Sequence, residues 1–217
     1  MSEQKINIRD LRQDYKASSL SEKDVDKNPI QQFSTWFNQA FTAQITEPNA
    51  MMLATASADG IPNARIMLLK GFNEEGFTFF TNYNSQKASE ISKNPNVSLL
   101  FFWLELERQI KIKGKAFKIS EKESEDYFHS RPHGSQLGAH VSPQSSVIPD
   151  RAFLENRLKA LQEEYKDKEI PKPAHWGGYI VKPEVIEFWQ GGSGRLHDRI
   201  VYTLQDNNTW KIERLAP

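Results

Sequence analysis

The chain has 217 residues, with 28 basic and 28 acidic side chains, a formal net charge of zero and no cysteine. Balanced charge argues against a dedicated nucleic-acid binder, which carries a basic surplus to release counterions from phosphates. The missing thiols exclude thiolate catalysis, iron–sulfur clusters, cysteine zinc sites and disulfides together.

The opening stretch MSEQKINIRDLRQDY lacks the basic start and apolar core of a secretory signal, and no apolar run approaches the ~20 residues that span a bilayer. A cytoplasmic protein without membrane contact is the expectation. Residues 1–29 are polar and charge-rich, which reads as a flexible arm ending at Asn28-Pro29, ahead of one domain over 30–217. Phe33, Trp36, Phe37, Ala40 and Phe41 then recur at the spacing of an amphipathic helix.

Short apolar runs divided by turns follow: MMLATAS (51–57), ARIMLLKGF (64–72) and FTFFTN (77–82), which read as three strands. SQKASEISK (85–93) predicts a short helix stopped at Asn94-Pro95, and VSLLFFW (97–103) with RQIKIKGKAFKI (108–119) predicts two more strands. Ser120 and Glu123 form a capping box for a helix running to about His129, and a longer helix follows Pro149. WGGYIV (176–181), VIEFWQ (185–190), RIVYTL (199–204) and TWKIERL (209–215) return to strand. So many strands without β-α-β alternation predict a mainly β fold, an antiparallel barrel with flanking helices.

GGSGR (191–195) has neither the lysine-serine end of a P-loop nor a G-x-G-x-x-G, and reads as a flexible hairpin tip. After it, Arg195, His197 and Arg199 occupy alternate positions. In a strand they would share a face and offer an anion site, although a solvated edge has the same spacing. His129 and His133 have the spacing of a helical zinc pair, but Pro132 between them spoils that geometry, and no metal site is expected. Tyr127, Arg131 and Ser135 fall at i, i+4 and i+8, where a helix end would gather donors suited to phosphate; an ordinary capped terminus has the same pattern. Arg65 and Lys70 bracket an apolar strand, and Lys87 opens a helix whose N-terminal amides favour an anion. Taken together, these groups predict a protein that holds two phosphate-bearing small molecules.

RIMLLK (65–70), ERQIKIKGKA (107–116), YFHSRPHGSQLGAHVSPQSS (127–146), IEFWQGG with RLHDR (186–199) and the final WKIERLAP resemble the pyridoxine-5'-phosphate oxidase family, in order and over nearly the whole chain. The resemblance implies an FMN-binding split β-barrel and a homodimer with FMN at the subunit interface. It implies oxidation of pyridoxine 5'-phosphate and pyridoxamine 5'-phosphate by O2. FMN would be lined by Arg65, Ile66, Met67, Leu68, Leu69, Lys70, Phe80, Thr81, Gln86, Lys87, Gln109, Gln144, Ser145, Trp189 and Arg199. Lys70, Tyr127, Arg131 and Ser135 would hold the substrate phosphate, and Arg195 and His197 would be the catalytic pair against the pyridine ring. Arg12 and Tyr15 would fold over the occupied site. A related split-barrel flavin oxidoreductase with another substrate, or a non-catalytic flavin or pyridoxal-phosphate binder, would share much of this pattern.

Two positions depart from the family's usual pattern: Phe80 stands where tyrosine is common, and Gln86 where an arginine commonly precedes the lysine. The second exchange removes a cation, and a hydrogen bond to a charged group is worth about 1.5–3 kcal/mol. Weaker FMN retention is therefore expected. Gln86→Arg should lower the FMN dissociation constant in a fluorescence titration, and an unchanged constant would remove the explanation.

Overall fold

The structure is a computed structural model that describes residues 8–11, 14–16 and 18–217. Among them are nine strands and five α-helices. Hydrogen-bonded neighbours run in the order β2 (Pro62–Leu68), β1 (Ala50–Ala56), β5 (Asn96–Trp103), β6 (Arg108–Lys118), β7 (Trp176–Gln190), β4 (Gly76–Asn82), β3 (Gly71–Asn73), with β8 (Asp198–Leu204) beside β7 and β9 (Trp210–Arg214) beside β8. The chain divides into two compact units, and β5 (Asn96–Trp103), β6 (Arg108–Lys118) and β7 (Trp176–Gln190) contribute to both.

One unit comprises the chain up to Pro48, Phe101–Lys111 and Val185–Pro217. Its helix α1 (Pro29–Thr42) starts where Asn28 Oδ1 accepts from Ile30 N at 2.8 Å and proline occupies the first turn. Phe33 and Trp36 are buried on its apolar stripe. Their rings meet Phe101 and Phe188 edge-on, at 5.2 Å in both pairs, and Phe188 meets Tyr202 at 5.5 Å. β7, β8 (Asp198–Leu204) and β9 (Trp210–Arg214) pair antiparallel, with Trp189 opposite Arg199 and Ile200 opposite Arg214. Residues before α1 are tied to these strands: Leu20 is buried, its N–H donates to Asp198 Oδ2 (2.8 Å), and Tyr202 Oη donates to Asp26 O (2.6 Å).

The other unit comprises Asn49–Leu100 and Ile112–Glu184. β1 (Ala50–Ala56) pairs with β2 (Pro62–Leu68) in a register that sets Thr55 opposite Asn63 and Leu53 opposite Arg65. β4 (Gly76–Asn82) pairs with β3 (Gly71–Asn73) and with β7. The expected single strand over 64–72 is thus two. Leu69 N bonds Asn49 O and Lys70 N bonds Thr78 O, so the chain changes partner between them. α2 (Gln86–Lys93), α3 (Glu121–Ser130), α4 (His133–Val141) and α5 (Arg151–Glu164) complete this unit. The Ser120–Glu123 capping box forms as expected, and Asp150 caps α5 through Phe153 N at 2.8 Å. Phe128, Leu137, Ile170 and Trp176 make a satellite core joined by Phe80, Tyr127 and Leu158.

The two strands expected over 176–181 and 185–190 are one 15-residue strand that runs through Pro183. Pairing with β4 ends at Val181 and pairing with β8 begins at Val185, so the proline falls where that edge has no ladder to interrupt. Opposite it, a Cβ on Gly114 of β6 would lie 2.1 Å from Lys182 O, a contact with backbone that no rotamer relieves. Gly114→Ala is therefore expected to destabilise the protein by about 3 kcal/mol. Denaturant unfolding of the two proteins measures this, and a change under about 1 kcal/mol would mean that the strands can move apart.

Candidate active site

The second unit carries an open cleft of about 310 Å³, lined among others by Met67, Phe80, Thr81, Arg131, Ser135, Gln144 and Trp176. Phe80 on β4 is stacked on Tyr127 from α3, with centroids 3.9 Å apart, and on Trp176 from β7 at 5.3 Å. Arg131 ends α3 and lies over Trp176, its Cζ 4.5 Å from the ring centroid, while its Nη2 donates to Ser135 O at 2.6 Å. Its Nη1 is buried without a hydrogen-bond partner, and burial holds the guanidinium pKa below the ordinary value. A buried cationic donor left open at the wall of a cleft is an anion-binding element. Tyr127, Arg131 and Ser135 are thus brought together as their spacing implied, across a break between two helices.

A second cluster adjoins the first through Thr81 and Gln144. Lys87 is 8% exposed, and its Nζ donates to Thr81 Oγ1 (3.2 Å), Ser85 Oγ (3.2 Å) and Gln144 Oε1 (3.0 Å). All three acceptors are neutral. Burial, with Arg65 nearby, pushes the Lys87 pKa down to about 8. Gln86 N donates to Ser145 Oγ at 3.2 Å, which brings Gln86, Lys87, Gln144 and Ser145 into one group. Arg65 is close to the same helix, with Nη2 3.2 Å from Glu90 Oε2. Of the rest of the 65–70 run, Leu69 is buried, Ile66 is exposed, and Lys70 is exposed at the change of strand partner.

In the first unit, a separate depression is lined by Leu11, Asp14, Tyr15, Gly192, Gly194, Arg195 and His197. Strand β8 begins only at Asp198, and Ser193–Arg195 form a turn with Gly194 and Arg195 at φ of 61° and 65°. The expected row of Arg195, His197 and Arg199 on one strand face is therefore not formed. Arg195 and His197 belong to a loop, while Arg199 turns to Glu187 Oε1 (2.8 Å) and Ala216 O (2.8 Å). The cause is Glu187, 4% exposed, which needs cations. It takes Arg199 on one oxygen and Lys111 on the other at 2.6 Å. Burial pushes the Glu187 carboxyl up, but these partners outweigh it and its pKa ends below the usual range.

Gly192 N donates to His197 Nδ1 at 3.1 Å, so in the neutral ring the proton sits on Nε2. Trp189 lies 4.7 Å from the His197 ring, and Tyr15 packs edge-on against both, at 5.7 and 5.8 Å. A Cβ on Gly191 would meet Tyr15 Cβ at 2.8 Å, so the glycine makes room for the tyrosine. Asp14 Oδ1 accepts from Gly194 N at 3.2 Å. Arg12 lies outside the described residues, and Gln109 lines neither recess. Asp14, Glu90 and Trp176 were not anticipated as site residues. Only the Gln86–Glu90 spacing, one helical turn, carried a local signal for any of them.

An antiparallel β protein with flanking helices and desolvated cations open to a cleft belongs to the class of proteins built to bind an anionic small molecule. Two family models match, described as pyridoxamine 5'-phosphate oxidase over residues 37–165 and pyridoxine 5'-phosphate oxidase C-terminal dimerisation region over 176–217. Pyridoxine/pyridoxamine 5'-phosphate oxidases of Trichormus variabilis and Aliarcobacter butzleri are 55% and 53% identical, over 97% and 98% of this chain and 98% and 100% of theirs. PhzG from Burkholderia lata, solved with tetrahydrophenazine-1-carboxylic acid, superposes with a TM-score of 0.87 at 30% identity, covering 93% of this chain and 99% of its own. An FMN-binding protein of Nostoc punctiforme shares the fold, with a TM-score of 0.69 at 16% identity over 85% of this chain and 97% of its own. The chain belongs to the pyridoxine/pyridoxamine 5'-phosphate oxidase family, and it is an oxidoreductase with the family's split-barrel fold. No described helix is long and apolar enough to cross a membrane.

The Lys87 cluster fits the phosphate end of a flavin nucleotide, because a desolvated ammonium ringed by neutral oxygens is one charge short of balance. A phosphate there would favour the charged amine, so its affinity depends on Lys87 carrying the proton. FMN affinity of the apoprotein is expected to be constant between about pH 7, where the phosphate monoester is a dianion, and pH about 8, and to weaken above it. Fluorescence titrations on either side of that value test this, and equal affinity on both sides would take Lys87 out of the phosphate's reach.

Proposed function

We propose that this chain uses FMN to oxidise pyridoxine 5'-phosphate and pyridoxamine 5'-phosphate to pyridoxal 5'-phosphate. O2 takes the electrons to give H2O2, and with the amine substrate one water hydrolyses the resulting imine and NH3 is released. The observation that carries this reading is 55% identity to curated oxidases of these substrates over 97% of the chain. The open Arg131 donor supports it from the structure. Bound FMN supplies the two-electron acceptor for hydride removed from the substrate's C4'.

The chain's own residues bind and orient. Arg131, with Tyr127, Ser135 and Lys70, holds the substrate phosphate, so binding energy far from C4' is used for positioning. Arg195 addresses the pyridine ring and favours negative charge developing there. His197 holds its proton on Nε2 and acts as a hydrogen-bond donor, since Nδ1 is already taken by Gly192. Thr81, Gln86, Lys87, Gln144 and Ser145 receive the FMN phosphate end, and Trp189 packs beside the cofactor. Tyr15, packed against Trp189 and His197, covers the substrate from the segment ahead of the oxidase domain over 30–217. The match over 176–217 to a dimerisation region supports a homodimer, with FMN at the interface between copies. The likeness to PhzG favours one competing reading, a split-barrel oxidase of another substrate.

Anaerobic addition of pyridoxine 5'-phosphate to the FMN-loaded protein is expected to bleach the flavin, with colour, aldehyde and peroxide appearing on admission of air. Arg131→Ala should raise KM at least tenfold, the equivalent of one charged hydrogen bond of about 1.5 kcal/mol, while leaving the protein yellow. A flavin that stays oxidised with substrate bound would make the chain a binder or an oxidase of something else.

A further inference from the structure

The cation cluster beside α2 is assembled on a carboxylate. Glu90 lies one turn after Gln86, is 9% exposed, and has both oxygens engaged. Oε1 accepts from Asn63 Nδ2 (3.1 Å) and Gln86 Nε2 (3.0 Å), and Oε2 from Thr55 Oγ1 (2.5 Å) and Arg65 Nη2 (3.2 Å). Burial pushes this carboxyl up, but the hydrogen bonds from Thr55, Asn63 and Arg65 outweigh it, so it stays ionised. Thr55 passes the arrangement on, since its hydroxyl also accepts from Arg65 Nη1 at 2.6 Å, and the same Nη1 donates to Leu53 O at 3.3 Å. Three of the five guanidinium donors are thereby fixed, which leaves Nε and one Nη2 hydrogen for a ligand.

An anion in the middle of a site for phosphate has the wrong sign for direct binding. Its benefit must come through what it holds. A free arginine would lose rotamer freedom at each binding event, whereas one already fixed by Glu90, Thr55 and Leu53 O loses little. The departure at Gln86 fits the same picture, because its amide is committed to Glu90 rather than left for a ligand.

We propose that Glu90 is a positioning residue for the cofactor: by fixing Arg65 it sets the chain's affinity for FMN, although it carries the same sign of charge as the phosphate. This rests on the FMN reading above. The opposing effect is repulsion between Glu90 and the phosphate, so the two predict opposite signs for removal of the carboxylate.

The test is the FMN dissociation constant of the apoprotein, read from quenching of flavin fluorescence, for the wild type, Glu90→Ala, Arg65→Ala and the double variant. Glu90→Ala is expected to weaken FMN about tenfold, and the double variant to bind no worse than Arg65→Ala alone, because the carboxylate acts through the arginine. Glu90→Gln, which keeps the volume and one acceptor oxygen, should recover part of the loss, and it carries the same cycle if Glu90→Ala fails to fold. Unchanged or tighter binding in the Glu90 variants, or losses that simply add, would overturn the proposal. Wild-type apoprotein that fails to quench FMN would overturn the cofactor reading itself, an outcome distinct from either.

Discussion

Cations withdrawn from water and given too few negative partners are the constraint on which the candidate site depends. Arg65, Lys87 and Arg131 are each partly or largely buried, and only Arg65 has a carboxylate. Lys87 is surrounded by neutral oxygens, and Arg131 keeps one donor with no partner. Such groups destabilise the empty protein and gain most when a phosphate arrives, so the folding cost and the affinity have one origin. The Phe80, Tyr127 and Trp176 stack supports this, because a flat aromatic wall holds the Arg131 guanidinium without neutralising it.

The other unit solves the same problem in the opposite way. Glu187 is buried and satisfied by both Arg199 and Lys111, so that cluster is closed. Nearby, the backbone does the positioning. Left-handed residues at Gly194 and Arg195 turn the loop back, and the N–H of Gly192 selects the tautomer of His197. Tyr15 can pack against Trp189 and His197 only because residue 191 has no side chain.

Much of this architecture is legible in the amino-acid sequence. The helix caps at Asn28, Ser120 and Asp150 are local signals, as is the gathering of Tyr127, Arg131 and Ser135 around the break between α3 and α4. The continuity of β7 through Pro183 is not, because it depends on where two different neighbours stop and start pairing. Nor is the fate of Arg199: alternation assigns it a face, but a buried glutamate 12 residues earlier claims it.

The amino-acid sequence determined the β-rich class, the absence of thiol chemistry, the capped starts of α1, α3 and α5, and the set of cations and hydroxyls available for phosphate. These follow from composition and from contacts within a turn or two of chain. Tertiary structure alone decided which of those cations remain open to a ligand. That choice rests on strand register and burial, which set Thr55, Asn63 and Arg65 around Glu90, closed Arg199 onto Glu187, and left Arg131 waiting.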